Sequence, residues 1–386
     1  MNTRHLARLR TLCYAAVSLD ALGCGGSESI GPFKGTVEVT ASTTGVNLDP
    51  DGYRVALDGG LPQPLSVNGG LVTFTDVAAG SHTVTLSGVA SNCLVSGLSW
   101  QAVSVKTAAT LPVAFQLTCP PLGQLAFTSN RDGNDEIYLM NADGTGVINL
   151  TNDAASDDFA AWSPDGSKLV FRSKRDGNGE IYVMNADGTG LINLTNHAAF
   201  DGYPKWSPDG STIAFNSDRD GNLDVYVMNT DGTSVVNLTN NPAFDGHPVW
   251  SPDGSQIAFT AGRDGNPEIY VMNADGSGAR NLTNNPAFDA YPAWSLQASP
   301  IAFETNRRGN FDIYVMSLLG TRLLNLTHTP ALDEFPAWSP NGYKIAFDTD
   351  RDGNLEVYVM ETDGSGPVNL TTNPANDWYP AWRPAP

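Results

Sequence analysis

Trp206 to Thr239 is the stretch that decides the fold. It reads Trp206-Ser-Pro-Asp-Gly210, Ile213-Ala-Phe215, Arg219-Asp-Gly-Asn222, Val225-Tyr-Val-Met228, Asp231-Gly-Thr233 and Asn237-Leu-Thr239. Short apolar runs that alternate with period two and end at glycine-bearing turns are typical of β-strands joined by tight hairpins. Asp-Gly and Gly-Asn pairs supply the positive φ that such turns need. We therefore predict four strands per unit. They are the strand of the tryptophan, the Ile-Ala-Phe strand, the Val-Tyr-Val-Met strand and a short Asn-Leu-Thr strand.

The unit recurs six times at a fixed period of 44 residues. One tryptophan and one arginine mark each copy. A four-stranded unit of about 40 to 45 residues that repeats in this way predicts the blades of a β-propeller. The tryptophans are Trp162, Trp206, Trp250, Trp294, Trp338 and Trp382, and the arginines are Arg131, Arg175, Arg219, Arg263, Arg307 and Arg351. We expect each tryptophan to pack between neighbouring sheets.

The units resemble the WD40-like repeats of the TolB propeller family. That family's pattern is Trp-Ser-Pro-Asp-Gly, Ile-Ala-Phe, Arg-Asp-Gly-Asn, an acidic residue before Ile-Tyr-Val-Met, and Asp-Gly. The resemblance covers about Leu125 to Trp382, two thirds of the chain, and implies a propeller with protein contact at one face. TolB itself begins with an α/β domain, whereas the first third of this chain has no helical periodicity. The resemblance therefore extends to the propeller and not to the whole of TolB.

The phase of the repeats predicts how the ring closes. The first unit begins at Leu125 with no tryptophan strand before it, while the chain ends just after a lone tryptophan strand, Tyr379 to Trp382. We expect this last strand to pair beside residues 125 to 151 and to complete the first blade. An open ring would leave two unpaired sheet edges, which invite aggregation.

Residues 33 to 119 predict a small β-sandwich in front of the propeller, which begins at residue 120. Alternating apolar and polar residues separated by turn signals indicate its strands. The run from Val72 to Val84 resembles the surface β-sandwich modules related to carboxypeptidase regulatory domains and PEGA domains. The predicted fold class is thus all-β. The predicted strands are Thr36 to Thr40, Tyr53 to Leu57, Leu71 to Phe74, Thr83 to Leu86, Gln101 to Val105 and Leu111 to Leu117.

Residues 1 to 24 have the features of an export signal. Arg4, Arg8 and Arg10 form a basic start, Leu12 to Leu22 is apolar, and the residues before Cys24 resemble a lipoprotein cleavage box. These features predict a bacterial envelope lipoprotein, periplasmic or on the outer surface, with an acyl group on Cys24. A cleaved secretory peptide with an incidental Cys24 is the alternative. Gly25 to Pro32 would form a flexible tether.

Two further cysteines, Cys93 and Cys119, lie outside the signal region. In an exported protein such a pair predicts a disulfide, here between the edge of the sandwich and the start of the propeller. Two isolated cysteines do not indicate a metal or catalytic site.

The net charge of −20 limits the classes of partner. A chain this acidic repels phosphate backbones and anionic lipid surfaces, so we expect no nucleic-acid partner and membrane contact only through a lipid anchor. No stretch beyond the signal region is long and apolar enough to span a bilayer.

A second period singles out a candidate binding site. One Asp lies five residues before each blade tryptophan, and an aromatic residue or His follows two residues later. The six Asp should ring one face of the central channel, together with the six Arg named above. Either each Asp pairs with an Arg and caps the inner strand, or the ring binds a cation or a basic group of a partner. The Asp residues are Asp157, Asp201, Asp245, Asp289, Asp333 and Asp377.

Signals of catalysis are sparse. The Arg-Asp-Gly-Asn loops lack the alternating oxygen ligands of a calcium loop, and we interpret them as hairpin turns whose following acid could pair with the arginine. His197, His247 and His328 occupy three different phases of the repeat, so their convergence on a metal is not expected. No Gly-x-Ser-x-Gly elbow is present. The Asn-Leu-Thr triplets are outer-strand residues in this interpretation.

The predicted function is therefore a non-catalytic scaffold of the cell envelope that docks a protein or a polysaccharide on the Asp-ringed face and needs no cofactor. The alternatives are a polysaccharide lyase or hydrolase that uses the channel mouth, and a passive spacer in a larger surface assembly. The unit of Trp294 departs from the others: Leu296-Gln-Ala298 replaces Pro-Asp-Gly, Arg308 replaces Asp, and Leu318 and Leu319 replace Ala-Asp. The added apolar surface at Leu318 and Leu319 predicts either a contact or relaxed constraint on this unit.

Overall fold

The computed structural model describes residues 34–45, 52–89, 93–119, 123–296 and 300–384, and these ranges contain 32 β-strands and no helix. Contacts divide the chain into two compact units, Met1–Cys119 and Pro120–Pro386. The predicted export signal, the lipidation residue Cys24 and the tether lie outside the described residues. Within those residues no helix is long and apolar enough to cross a bilayer.

The first unit is a sandwich of two four-stranded sheets, ordered β4-β1-β8-β6 and β3-β2-β5-β7. Inward residues of both sheets, among them Val37, Val39, Val55 and Val84, form one buried core. The six predicted strands are present, and the short β3 and β6 are additional. The strands are β1 (Lys34–Gly45), β2 (Tyr53–Leu57), β3 (Gln63–Leu65), β4 (Leu71–Ala78), β5 (Gly80–Ser87), β6 (Leu94–Val95), β7 (Trp100–Val105) and β8 (Thr110–Cys119).

Cys93 lies at the edge of this sandwich, is buried and forms a disulfide. Leu94 pairs with Thr118 in the antiparallel β6–β8 ladder, and one further step of that register would place Cys93 opposite Cys119. The side chain of Cys119 lies outside the described residues, so the Cys93–Cys119 bond stays a prediction that the backbone register favours.

The described part of the second unit holds six four-stranded antiparallel sheets, which we number as blades 1 to 6. Blades 1 to 3 contain β9 (Gln124–Ser129), β10 (Glu136–Asn141), β11 (Ile148–Asn149), β12 (Asp157–Trp162), β13 (Lys168–Ser173), β14 (Glu180–Asn185), β15 (Ile192–Asn193), β16 (Asp201–Trp206), β17 (Thr212–Ser217), β18 (Asp224–Asn229) and β19 (Val236–Asn237). Blades 4 to 6 contain β20 (Asp245–Trp250), β21 (Gln256–Ala261), β22 (Glu268–Asn273), β23 (Arg280–Asn281), β24 (Asp289–Trp294), β25 (Ile301–Thr305), β26 (Asp312–Met316), β27 (Leu324–Asn325), β28 (Asp333–Trp338), β29 (Lys344–Thr349), β30 (Glu356–Glu361) and β31 (Val368–Asn369).

The last strand, β32 (Asp377–Trp382), completes blade 1. It pairs antiparallel with β9, with Asp377 opposite Ser129 and Trp382 opposite Leu125. The strands that begin at the six Asp are innermost, and each contacts the innermost strand of the next blade, with β32 contacting both β28 and β12. The predicted pairing of the last strand with the first blade is confirmed.

Tryptophans join neighbouring blades as predicted. Trp294 packs with Ala258 and Ile269 of blade 4 and with Phe303 of its own blade. Four of the indole Nε1 groups donate to a carbonyl oxygen of the preceding blade at 3.1 to 3.3 Å, for example from Trp382 to Ala337. The blade tryptophan is therefore both an apolar contact and a hydrogen-bond donor between sheets.

Candidate functional site

The six predicted Asp–Arg pairs are all present. Each Asp is the first residue of an innermost strand, its side chain is fully buried, and an arginine Nη2 lies 2.7 to 3.0 Å from its carboxylate. Arg131 of blade 1 binds Asp377 at the other end of the propeller sequence, so this pair also fastens the closure. The other pairs are Arg175–Asp157, Arg219–Asp201, Arg263–Asp245, Arg307–Asp289 and Arg351–Asp333.

Each Asp carboxylate of the ring therefore already has an arginine partner within the protein. Burial raises the pKa of Asp157 to about 6 even though Arg175 and Ser173 lower it, and burial likewise raises the pKa of Asp377. The arginine side chains remain 14 to 23% exposed, so the guanidinium edges reach the surface and the carboxylates do not. We call this face, where the innermost strands begin, the Asp face, and the opposite face, where they end, the Trp face.

The Arg-Asp-Gly-Asn segments are hairpin turns, as predicted. In five blades the turn Asp accepts a hydrogen bond from the tyrosine hydroxyl six residues later, as Asp220 does from Tyr226 at 2.6 Å. This bond holds the pKa of the Asp220 carboxyl below its usual range. The acid after each turn binds the Asn-Leu-Thr threonine instead of the arginine, as Asp224 binds Thr239 at 3.0 Å. Neither of these two partnerships was predicted from the sequence.

Six aromatic side chains close the central channel between the two faces. They follow the six Asp by two residues, and neighbouring ring centroids lie 3.8 to 4.4 Å apart around an unbroken circle. Aromatic rings in stacked or edge-to-face contact attract one another beyond their apolar contact. We call this set the aromatic collar. Its members are Phe159, Tyr203, His247, Tyr291, Phe335 and Tyr379.

A bulge in every innermost strand aims these rings at the channel axis. The ladder register shifts between the second and fifth residues of the strand, as between Gly202 and Lys205 in blade 3. All six collar residues have φ between 51° and 55°, a conformation that is rare for aromatic residues. A bulge re-aims a side chain in this way. The aromatic period was visible in the sequence, but nothing in it indicated the bulge.

On the Asp side of the collar, three carboxyl groups have no cation partner among the described residues. Glu334 lies opposite Asp348 in the β28–β29 ladder. Glu304 Oε2 accepts a hydrogen bond from the Phe335 amide at 3.2 Å, and Asp348 Oδ1 accepts one from the Tyr379 amide at 3.4 Å. Burial raises the pKa of all three carboxyls, and repulsion by Glu334 raises the pKa of Glu304 and Asp348 further.

The other blades carry different residues at the position of Glu304 and Asp348. Asn216 and Thr260 accept the same amide bond from the next blade, at 2.9 and 3.2 Å. Arg172 instead forms an ion pair with Asp158. The three carboxyls are therefore a local feature of blades 5 and 6. Within the described ranges no group of three or more His, Cys, Asp or Glu side chains is arranged to hold a metal ion.

On the Trp side of the collar, a cavity of about 290 Å³ runs along the channel. The collar forms its floor, and the prolines, alanines and tryptophans at the ends of the innermost strands form its wall. Lys205 lines this wall, where the equivalent residues of the other blades are alanine or valine. Lys205 keeps part of its surface exposed, and the withdrawal of the rest from water lowers its pKa to about 8. No role for this lysine was predicted from the sequence.

The three histidines of the propeller do not form one site. His247 belongs to the collar, stacked on Tyr291 with ring centroids 3.9 Å apart, and burial lowers its pKa to about 3. His197 lies in the loop between blades 2 and 3, where its Nδ1 accepts a hydrogen bond from the Ala199 amide at 3.1 Å. His328 lies in the loop between blades 5 and 6.

Blade 5 retains the common sheet despite its unusual turns. Arg308 is exposed in place of the turn Asp, and Leu296 and Leu319 are 53 and 79% exposed. Leu318 packs partly against the core between blades 4 and 5. The added apolar surface is thus Leu296 and Leu319, at the Trp face.

The family profile of PD40, the TolB beta propeller domain, matches residues 63–201, 161–242, 192–290 and 281–385. The chain belongs to this family. The PD40 chain is similar in structure to TolB from Acinetobacter baumannii, with 24% identity, a TM-score of 0.61 and coverage of 68% of this chain and 67% of that one. Putative TolB from Agrobacterium tumefaciens gives 20% identity and a TM-score of 0.55 over 69% of this chain and 99% of that one.

Kuenenia stuttgartiensis hydrazine synthase is also similar in structure, with 18% identity and a TM-score of 0.59 over 68% of this chain and 47% of that one. No curated protein matches the sequence. At these identities the similar structures establish the fold of the PD40 chain and leave its partner to be inferred from its own residues.

Proposed function

We propose that this protein is a non-catalytic binding propeller of the bacterial cell envelope that docks another protein, or a polysaccharide, on its Asp face. The observation that carries the proposal is the group formed by Glu304, Glu334 and Asp348 at the Asp side of the channel. These carboxyls have no cation partner among the described residues, and Glu334 is the least buried of them. A partner that inserts a basic group there would supply the missing charge.

Electrostatics favours a protein partner over a polysaccharide. Carboxyls that repel one another and are withdrawn from water gain stability when a cation approaches, because an opposite charge favours their ionised form. Lysine and arginine side chains are long enough to enter a channel mouth with their charge at the tip. Charge-assisted hydrogen bonds of this kind are about twice as strong as neutral ones.

The residues around the Asp side of the channel are held in fixed positions, which suits a docking surface. Six Asp–Arg pairs fasten the beginnings of the innermost strands, and the exposed edges of their guanidinium groups border the channel mouth. In five blades the turn carboxylates are held by tyrosine hydroxyls. A partner therefore meets groups that are already ordered, which lowers the entropy cost of binding.

The envelope location rests on the sequence. The basic start, the apolar stretch and the cleavage box before Cys24 support export followed by acylation. Stable anchoring needs more than one acyl chain, which bacterial lipoproteins carry. In this proposal the lipid and the tether hold the protein near a membrane while the propeller binds its partner.

One observation favours the alternative, a lyase or hydrolase that works at the channel mouth. Carboxyl groups with raised pKa values are suited to hold and transfer protons near neutral pH. Glu304→Gln would then abolish any release of reducing ends from polysaccharides incubated with the protein. A protein that releases none before substitution leaves the binding role standing.

Affinity capture from envelope extract tests the docking proposal. The variant is the triple substitution Glu304→Thr, Glu334→Ala and Asp348→Asn, in which each new residue already occupies the equivalent position of another blade. We expect a protein captured by the parent to be lost by the variant, with at least a tenfold fall in affinity, about 1.4 kcal/mol.

The matched control removes the same number of carboxyl groups from the opposite face. It carries Asp143→Asn, Asp187→Asn and Asp231→Asn, three exposed turn residues of the Trp face. This control should capture the same protein as the parent does. Equal capture by all three proteins, or loss with both variants, would refute docking at the Asp side of the channel.

A further inference from the structure

Lys205 lies in the central channel and is not one of the residues that recur in every blade. It is the fifth residue of the innermost strand of blade 3, and it lines the cavity on the Trp side of the collar. In the other five blades a small apolar residue occupies the same strand position. These residues are Ala161, Val249, Ala293, Ala337 and Ala381.

The ammonium group of Lys205 has no hydrogen bond or ion pair with any described residue. Withdrawal from water without a partner disfavours the charged form of a lysine. The fold does not require this lysine, because its sister positions are filled by alanine or valine in otherwise similar strands. An unpaired cation in an apolar site is instead suited to an anion that enters from outside.

The side chains around Lys205 indicate the size and polarity of a ligand that the cavity could hold. Apart from Lys205 the cavity is lined by uncharged side chains, since burial keeps His247 neutral near pH 7. Collar rings such as Tyr203 and Tyr291 form the floor, and Trp294, Trp338 and Pro248 belong to the wall. The volume of about 290 Å³ is close to the lower limit for small-molecule sites.

We propose that this cavity binds a small organic acid, with its single carboxylate paired to Lys205 Nζ and its aromatic or branched apolar body packed against the collar and the wall. A lone lysine supplies one compact positive charge, which matches a monoanion, whereas phosphate groups are commonly held by an arginine fork. Most of the contact area is apolar, so the apolar body of the acid should supply most of the binding affinity. Lys205 should make the site prefer an anionic ligand to a neutral one.

This site is independent of the docking surface proposed above. The collar separates the two sides of the channel, and Glu304, Glu334 and Asp348 lie on the side away from Lys205. Loss of partner capture by the Asp-side variant should therefore leave binding of the acid unchanged.

Binding of 2-naphthoate and of its neutral amide, 2-naphthamide, to the full chain tests the proposal. Calorimetry at pH 7 should show that the parent binds the acid at least about tenfold more tightly than the amide. Lys205→Ala should remove this preference while binding of the amide persists. Lys205→Met, which keeps the length of the side chain without its charge, should do the same and guards against a folding defect in the alanine variant.

Lys168→Ala is the matched control, because it removes an exposed lysine of the same face that does not line the cavity. Its preference for the acid should equal that of the parent. Equal affinity of the parent for the acid and the amide, an unchanged preference in both Lys205 variants, or no binding of either compound would overturn the proposal.

Discussion

The two sides of the central channel are built from the same six strands and have opposite chemistry. On the Asp side, Glu304, Glu334 and Asp348 are carboxyls without a described cation. On the Trp side, Lys205 is a cation without a described anion in an apolar cavity. The aromatic collar, with ring centroids no more than 4.4 Å from their neighbours, separates them.

This difference shows where function is encoded in a repeat protein. Positions that are identical in all blades, such as the Asp at the start of the innermost strand and its arginine, form the frame. Positions that differ between blades, such as that of Lys205, determine what each side of the channel can bind. Substitutions at the two kinds of position should therefore have different consequences.

The largest effect should come from removing the strand that closes the frame. Deletion of residues 377 to 386 would expose the edge of β9, leave Arg131 without Asp377 and remove Trp382. We expect loss of cooperative thermal unfolding. Trp382→Ala alone should cost roughly 3 to 5 kcal/mol and leave a folded protein. An unchanged melting temperature after the deletion would refute the role of this closure.

Breaking one buried pair of the frame should have the next largest effect. Arg219→Ala leaves the fully buried Asp201 carboxylate without its cation, which typically costs roughly 3 to 5 kcal/mol. Lys344→Ala breaks the more exposed pair with Glu361 and should cost less than about 1 kcal/mol. Denaturant unfolding measures both. Equal losses would mean that the Asp–Arg pairs do not support the frame.

On the Asp side, stability should depend on pH through Asp348. Its pKa in the folded protein lies above that in the unfolded chain, so the folded state binds this proton more tightly. Stability is then greatest below the unfolded pKa and falls as pH rises toward the folded one. Asp348→Asn keeps an oxygen for the Tyr379 amide, as Asn216 does for His247, and should raise Tm by about 2 to 4 °C at pH 8. At pH 4 the difference in Tm between the variant and the parent should vanish. The same difference at both pH values would contradict a raised pKa for Asp348.

On the Trp side, Lys205→Ala should slightly stabilise the protein without ligand. Burial lowers the pKa of Lys205 to about 8, so a charged lysine at pH 7 opposes folding, and alanine removes that cost. We expect Tm to rise by about 2 °C. Val249→Ala removes apolar volume at the equivalent position and should lower Tm. A fall in Tm for Lys205→Ala as large as that of Val249→Ala would indicate a structural role for the lysine.

Much of the frame could be predicted from the sequence because each of its residues recurs with the period of 44. The phase of the first and last units predicted that β32 would join blade 1, and spacing predicted that the Asp and Arg residues would share a face. The apolar alternation of the first third predicted a sandwich. Only the two-to-three-residue strands β3 and β6 were missed there, because so few residues carry no periodicity.

The candidate sites were harder to predict, for two physical reasons. The collar depends on a bulge and on φ near 53°, which residue types alone do not indicate, although the aromatic period was visible. Lys205 departs from an otherwise apolar position, and Glu304 and Asp348 occupy a position that differs in almost every blade, so the repeat does not indicate the role of any of them. The burial of the two carboxyls, the place of Lys205 in the cavity wall and the lack of described counter-charges emerged only once the strands were placed around one channel.

A double titration by calorimetry would decide whether the channel has two independent sites of opposite charge preference. A trilysine peptide serves as the basic probe and 2-naphthoate as the acidic one. We predict that each binds with the same affinity in the presence of the other, that the Glu304→Thr, Glu334→Ala, Asp348→Asn variant loses only the peptide, and that Lys205→Ala loses only the acid. Competition between the probes, or a variant that loses both, would contradict the division of the channel by its aromatic collar.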